Sequence, residues 1–109
     1  MKTINLTGDA LDWAVDKSLN LNTPYNSWGQ TGKVPLYSTD WSQGGPIIER
    51  EDIAICRLEN SEWRAQLNVE SFGPYCRQYG PTPLIAVMRC YVASKLGDDV
   101  EIPEALCNQ

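Results

Sequence analysis

Gly80-Pro81-Thr82-Pro83-Leu84-Ile85-Ala86-Val87-Met88-Arg89-Cys90-Tyr91-Val92-Ala93-Ser94-Lys95-Leu96-Gly97 is the stretch whose reading decides the fold. Both ends of a helix are written into it. Thr82 offers a side-chain oxygen to a first-turn amide, and Pro83 takes the first helical position, where its missing N–H costs nothing. Gly97 can adopt the left-handed conformation that ends a helix, and Lys95 sits in the last turn against the negative end of the dipole. The spacing predicts a helix over 83–96.

Strands precede it. Residues 62–69 alternate, with Trp63, Ala65, Leu67 and Val69 on one face and Arg64, Gln66 and Asn68 on the other, so one face is buried and the other wet. Residues 52–58 read as a second strand, joined through Glu59-Asn60-Ser61 into an antiparallel hairpin, 52–58/62–69. Both faces of 52–58 are largely apolar, which predicts helices over at least one side. After the break at Gly73-Pro74, residues 75–79 are a candidate third strand.

Further upstream, 39–51 reads as a broken helix. Ser38 or Thr39 can cap it, and Gly44-Gly45-Pro46 interrupts it, because proline cannot donate and clashes with the preceding turn. The glycines allow a close backbone approach, by a ligand or by another element. A first helix covers 7–18, with Thr7 as cap and Leu11, Ala14, Val15 and Ser18 as its buried stripe; Trp13 lies off that stripe. Between these helices, 20–37 is irregular yet carries Tyr25, Trp28 and Tyr37, which suits either a loop folded over the core or a lid bearing stacking surfaces. Beyond the last helix the chain turns acidic, and Val100 and Ile102 can lie against the sheet. The expectation is a single α+β domain over 1–109, a small antiparallel sheet packed with helices.

Composition narrows the chemistry. Nine Lys and Arg against fourteen Asp and Glu give a net charge of −5, and no basic run occurs, so a nucleic-acid backbone is a disfavoured partner. One small anion remains compatible with that balance, because a local site can be positive while the whole is negative. No membrane-spanning run or signal-peptide core is visible, and the expected location is the cytoplasm. With no histidine and four dispersed cysteines, neither a zinc site, another cofactor nor a disulfide framework is expected. Cys56 and Cys90 read as small core residues, while the states of Cys76 and Cys107 stay open.

No catalytic signature emerges. The commonest general base is absent, and no nucleophile elbow, Walker loop or dinucleotide fingerprint occurs. The carboxylate groups Asp9/Asp12, Glu49/Glu51/Asp52 and Asp98/Asp99 fall at element ends, where solvated charge is the usual reason. A binding site is better founded. The Thr82-Pro83 helix start presents amides suited to phosphate or carboxylate, and Arg89, two turns on along the same face, points back toward it. Arg77 adds a cation; Tyr37, Trp41 and Tyr79 supply stacking faces; Asp40 can accept from a base or ribose; Ser38, Gly44 and Gly45 complete the set at the glycine-rich break. Against this stands the plain fact that every helix has an N-terminus and most bind only water or their cap.

Tyr37-Ser38-Thr39-Asp40-Trp41-Ser42-Gln43-Gly44-Gly45-Pro46-Ile47-Ile48-Glu49-Arg50-Glu51 and Tyr79-Gly80-Pro81-Thr82-Pro83-Leu84-Ile85-Ala86-Val87-Met88-Arg89-Cys90-Tyr91-Val92 resemble the NinX-like family of tailed-phage proteins, and Leu11-Asp12-Trp13-Ala14-Val15 is similar to its first helix. A looser similarity extends to phage ABA-sandwich domains. The resemblance implies helices around a small antiparallel sheet and an accessory phage protein acting in the bacterial cytoplasm; it carries over no catalytic residue. Small phage proteins of this kind often counter host defences. The expectation is therefore a non-enzymatic homo-oligomer that sequesters a small anionic nucleotide-type ligand, or alternatively an inhibitor that docks its acidic surface on a host protein.

Overall fold

The capped stretch forms the central helix, and the remaining elements are arranged around it. The computed structural model describes residues 1–19, 35–68 and 75–107. In chain order these form a short 3-10 turn at Thr3–Asn5, α1 at Gly8–Leu19, α2 at Trp41–Glu51, β1 at Ala54–Arg57, β2 at Trp63–Asn68, β3 at Tyr75–Gly80, α3 at Pro83–Leu96 and α4 at Glu104–Cys107. The expected α+β class and its three main helices are present, and the candidate third strand is real. The aromatic stretch at 20–34, with Tyr25 and Trp28, lies outside the described residues.

Both predicted caps of α3 are formed. Thr82 Oγ1 accepts the Ile85 amide at 3.2 Å, and the Gly97 amide closes on the Ala93 carbonyl with φ at 89°. Gly80 makes the tight entry from β3, since a Cβ there would meet the Ala86 nitrogen at 2.8 Å. Leu84 and every residue from Ala86 to Ala93 are buried, because α3 packs against the sheet on one side and against α1 and α2 on the other. A helix apolar all round is a core helix, and this one is the middle layer.

The sheet is three-stranded and antiparallel in the order β1-β2-β3. Its register sets Ile55, Ala65 and Gln78 in one row and Cys56, Arg64 and Tyr79 in the next. Residues directly opposite share a face, so Trp63, Ala65, Leu67, Cys76 and Gln78 face α3. Cys76 identifies the side, because its thiol reaches the Cys90 carbonyl of α3 at 3.6 Å and the Cys90 thiol reaches the Cys76 carbonyl at 3.2 Å. Burial pushes the Cys90 thiol up to about 12, as suits an inert core thiol. Cys56 is on the opposite face and exposed, which corrects its reading as a core residue: both faces of 52–58 look apolar in sequence, but the described helices cover one.

Three further expectations change. The helix expected to break at Gly44-Gly45-Pro46 runs unbroken from Trp41 to Glu51 with Pro46 inside it. The amide that proline lacks would have bonded the Ser42 carbonyl; Ser42 and Pro46 are both exposed, so water can satisfy that carbonyl. The cap is Asp40 rather than Ser38 or Thr39, since its Oδ1 accepts the Ser42 amide at 2.9 Å. In α1 the buried surface is wider than the expected stripe, taking in Trp13, Asp12 and Asp16. The two aspartates are covered by the segment leading into α2, a long-range contact that helical periodicity does not encode.

Candidate functional site

A cleft of about 240 Å³ opens where the turn before α2 meets the start of α3, lined by Ser38, Thr39, Trp41, Thr82, Pro83, Leu84 and Ile85. Three of the expected site residues, Ser38, Trp41 and Thr82, are thus brought from distant parts of the chain into one concavity. Trp41 is 54% exposed, a large apolar ring left on the surface, and Leu36 nearby in sequence is 48% exposed.

The local sequence explains how these walls are held. The Ser38 amide donates to Asp12 Oδ1 at 2.8 Å, fixing the turn to α1. Asp12 is 2% exposed, and burial pushes its carboxyl up to about 6 against the opposing pull of the Ser38 hydroxyl and amide beside it. The Ser38 hydroxyl lies against that carboxylate with no well-aligned hydrogen bond. Tyr37 donates its hydroxyl to Asp16 Oδ1 at 3.4 Å, so its ring serves the α1 contact. Gly44 is packed: a Cβ there would sit 2.4 Å from the Tyr37 carbonyl oxygen and 2.8 Å from Leu84 Cδ2. Of the two readings of the glycines, close element packing holds for Gly44, whereas Gly45 faces open space.

The electrostatics of this cleft do not suit phosphate. None of its described lining residues is charged. Asp40, between Thr39 and Trp41, is fully occupied as a cap: Ser42 donates through both its hydroxyl and its amide, and Gln43 donates at 3.1 Å. Those bonds hold its carboxyl below the usual aspartate range, so a negative charge stands beside the cleft at neutral pH. The helix start itself has little left to offer. Pro83 has no N–H, the Ile85 amide is taken by Thr82 Oγ1 and the Ala86 amide by the Thr82 carbonyl, leaving the Leu84 amide.

Arg89 does not reach this place. It is 8% exposed, with Nε donating to the Leu6 carbonyl at 2.9 Å and Nη1 to the Tyr79 carbonyl at 2.7 Å. Its role in the fold is to tie the segment before α1 and the end of β3 to the middle layer. Arg77 and Tyr79 are elsewhere again, on the sheet face turned away from α3, where Arg77 Nη2 donates to Gln66 Oε1 at 2.9 Å. The residues expected to form one site are therefore distributed over a cleft, a core tether and a sheet face. Thr39, Pro83, Leu84 and Ile85 were not anticipated as lining; Leu84 and Ile85 in the first turn of a capped helix were the available signal.

Among the described residues no group of three or more His, Cys, Asp or Glu is placed to hold a metal ion, and no helix is long and apolar enough to cross a membrane. The sequence model of the family described as "Bacteriophage P22, NinX" matches residues 2–95. The chain belongs to that family. No curated protein matches it. The match to the NinX family covers α1, α2, the whole sheet and nearly all of α3, so the cleft, the Arg89 tether and the sheet face all lie inside the family's domain.

Proposed function

We propose that this NinX-family chain is a phage accessory protein that acts in the bacterial cytoplasm by binding a host protein, without turnover, and that the Trp41–Thr82 cleft is where the partner docks. The observation that carries this reading is the half-exposed Trp41 ring beside a cleft whose described lining is uncharged and largely apolar. Tryptophans so placed are typical interface anchors. A net charge of −5, with the Asp40 carboxylate at the cleft, favours a partner whose docking surface is basic. Among the described residues no strand pairs with the outer side of β1, a route by which copies of the chain can pair.

Affinity capture from phage-infected cells tests this. A partner recovered in stoichiometric amount by the wild-type chain and lost with Trp41→Ala supports it; a partner retained equally by Trp41→Ala refutes the cleft as the docking site.

One observation favours a second reading, capture of a nucleotide-derived defence signal. Trp41 lines the same cleft as Thr39 and Thr82, a set that can stack on a base and bond its edge. The absence of a cation from the described lining ranks it second. Thermal-shift screening against cyclic dinucleotides and ADP-ribose-type signals, followed by release on denaturation, separates the cases. Intact ligand released indicates sequestration, a degraded one indicates an enzyme, and no shift with any of them leaves the protein partner.

A further inference from the structure

The described free cysteines fall into two environments. Cys56 is exposed on the sheet face turned away from α3, whereas Cys76 of β3 and Cys90 of α3 meet across the interface between sheet and helix. Their contact is reciprocal: the Cys76 thiol donates to the Cys90 carbonyl at 3.6 Å, and the Cys90 thiol donates to the Cys76 carbonyl at 3.2 Å. Each thiol also lies within hydrogen-bonding contact of the other. Two side chains that reach each other's backbone in this way project toward one another, the orientation that a disulfide requires. Strand and helix hold them there. Cys76 is the register partner of Leu67 in β2, and Cys90 follows Arg89, which ties the far end of β3 through the Tyr79 carbonyl. Their access differs. Cys90 has no exposed surface, whereas Cys76 is partly exposed.

We infer that Cys76 and Cys90 form a redox switch, a dithiol under reducing conditions that a peroxide converts to a disulfide stapling β3 to α3. Cys76, the partly exposed member, reacts first. Its sulfur attacks one peroxide oxygen; the S–O bond forms as the O–O bond breaks, and the thiol proton leaves with the other oxygen as water. Cys90 then attacks the oxidised sulfur of Cys76. The S–S bond forms as the S–O bond breaks, and the Cys90 proton leaves with that oxygen as a second water. Two thiols are oxidised and one peroxide is reduced, and a small dithiol reverses the change by exchange. Burial and the Asp98 carboxylate raise the Cys76 thiol, and burial raises that of Cys90. Little thiolate is therefore present at neutral pH, and the switch responds to sustained peroxide rather than to traces. The residues between the two cysteines include Thr82 to Ile85, one wall of the cleft, so the staple closes a loop through that wall. The inference rests on the contact between the thiols and stands apart from the partner-docking reading.

The full chain, reduced and freed of reductant, is incubated with millimolar hydrogen peroxide, alkylated, and digested without reduction. Trypsin places the four cysteines on separate peptides, 51–57, 65–77, 90–95 and 96–109. The expected product is 65–77 joined to 90–95 within one chain, lighter by two hydrogens and released again by dithiothreitol. Its yield should be unchanged in Cys56→Ser. With about 15 residues closed into a loop, the Tm of the oxidised chain should exceed that of the reduced chain by roughly 10–20 °C. Because thiolate is the reacting form, the rate should rise about tenfold per pH unit below the thiol pKa. In Cys90→Ala, Cys76 should stop at the sulfenic acid and take up dimedone, which wild type should resist; where that variant does not fold, the wild-type peptide map decides. Cys76 driven to sulfinic acid with Cys90 left as a thiol, a link to 51–57 or 96–109 in place of the pair, a link that forms only in urea, or a linked chain no more stable than the reduced one overturns the assignment.

Discussion

Replacing Arg89 by methionine keeps the length and apolar stem of the side chain and removes its donors, so it isolates what the tether contributes. Two carbonyls lose their partners: Leu6, in a residue with no exposed surface, and Tyr79, at the end of β3. An acceptor left buried without a donor costs about 1–3 kcal/mol. Methionine recovers part of the several kcal/mol spent on desolvating a guanidinium, so the net loss is about 2–4 kcal/mol. With a urea slope of about 1–3 kcal/mol per molar, the unfolding midpoint should fall by roughly 1–3 M. At about 4–8 °C per kcal/mol, Tm should fall on the order of 10–25 °C. Arg89→Lys should lie between, since an ammonium keeps the charge but lacks the planar fork that spans two carbonyls. Equilibrium urea unfolding followed by circular dichroism measures both. A methionine variant within about 0.5 kcal/mol of wild type, the scatter of ordinary surface changes, would refute the tether. A variant of unchanged stability that has lost ligand binding would restore Arg89 to a binding site.

Other perturbations check the remaining contacts. Thr82→Ala should cost about 1 kcal/mol by freeing the Ile85 amide, read as a Tm drop of roughly 4–8 °C in a thermal melt. Gly44→Ala should destabilise by about 1–3 kcal/mol, because its Cβ is forced against the Tyr37 carbonyl and Leu84 Cδ2, read as a urea midpoint below wild type. For Asp12 the folded pKa, about 6, lies above the ordinary aspartate value of 3.8, so the folded state holds the proton more tightly. Its contribution is fully present below the unfolded value and is lost as pH rises toward 6; Asp12→Asn should flatten that part of the stability profile and leave the fall below pH 4 in place. That acid limb includes Asp40 and Asp99, both held below the usual range, Asp40 by Ser42 and Asp99 by the Met1 amine.

Local chemistry made much of this fold legible before any coordinates. Thr82, Pro83 and Gly97 gave α3 both its ends, and alternation gave β2 its buried face, because caps and pleats are dictated by neighbours in sequence. What failed depended on contacts between distant segments. Asp12 and Asp16 look like solvated helix charges until the turn at Ser38 is laid across them. Pro46 looks like a break until it is seen on an exposed flank, where the freed carbonyl meets water. Cys56 reads as core until the described helices are found on one side of the sheet.

The misplacement of Arg89 is the most instructive, because the sequence held a signal against it. From Leu84 to Ala93 it is the single charged side chain in an otherwise apolar helix with no polar face. Such a helix is buried all round, so its one charge has to find partners inside the molecule, and backbone carbonyls of neighbouring layers are the nearest acceptors. Same-face spacing between Thr82 and Arg89 is sound geometry, but Arg89 sits where the helix is buried. A buried arginine already spent on Leu6 and Tyr79 cannot serve a ligand, yet by holding the Tyr79 carbonyl it fixes the end of β3. Loosening that bond should disturb the Arg64–Tyr79 row before it disturbs Trp41. In Arg89→Lys, where the fold should survive, amide shift changes in NMR spectra are therefore expected at Arg64, Arg77 and Tyr79; changes confined to Ser38 and Trp41 would break the connection.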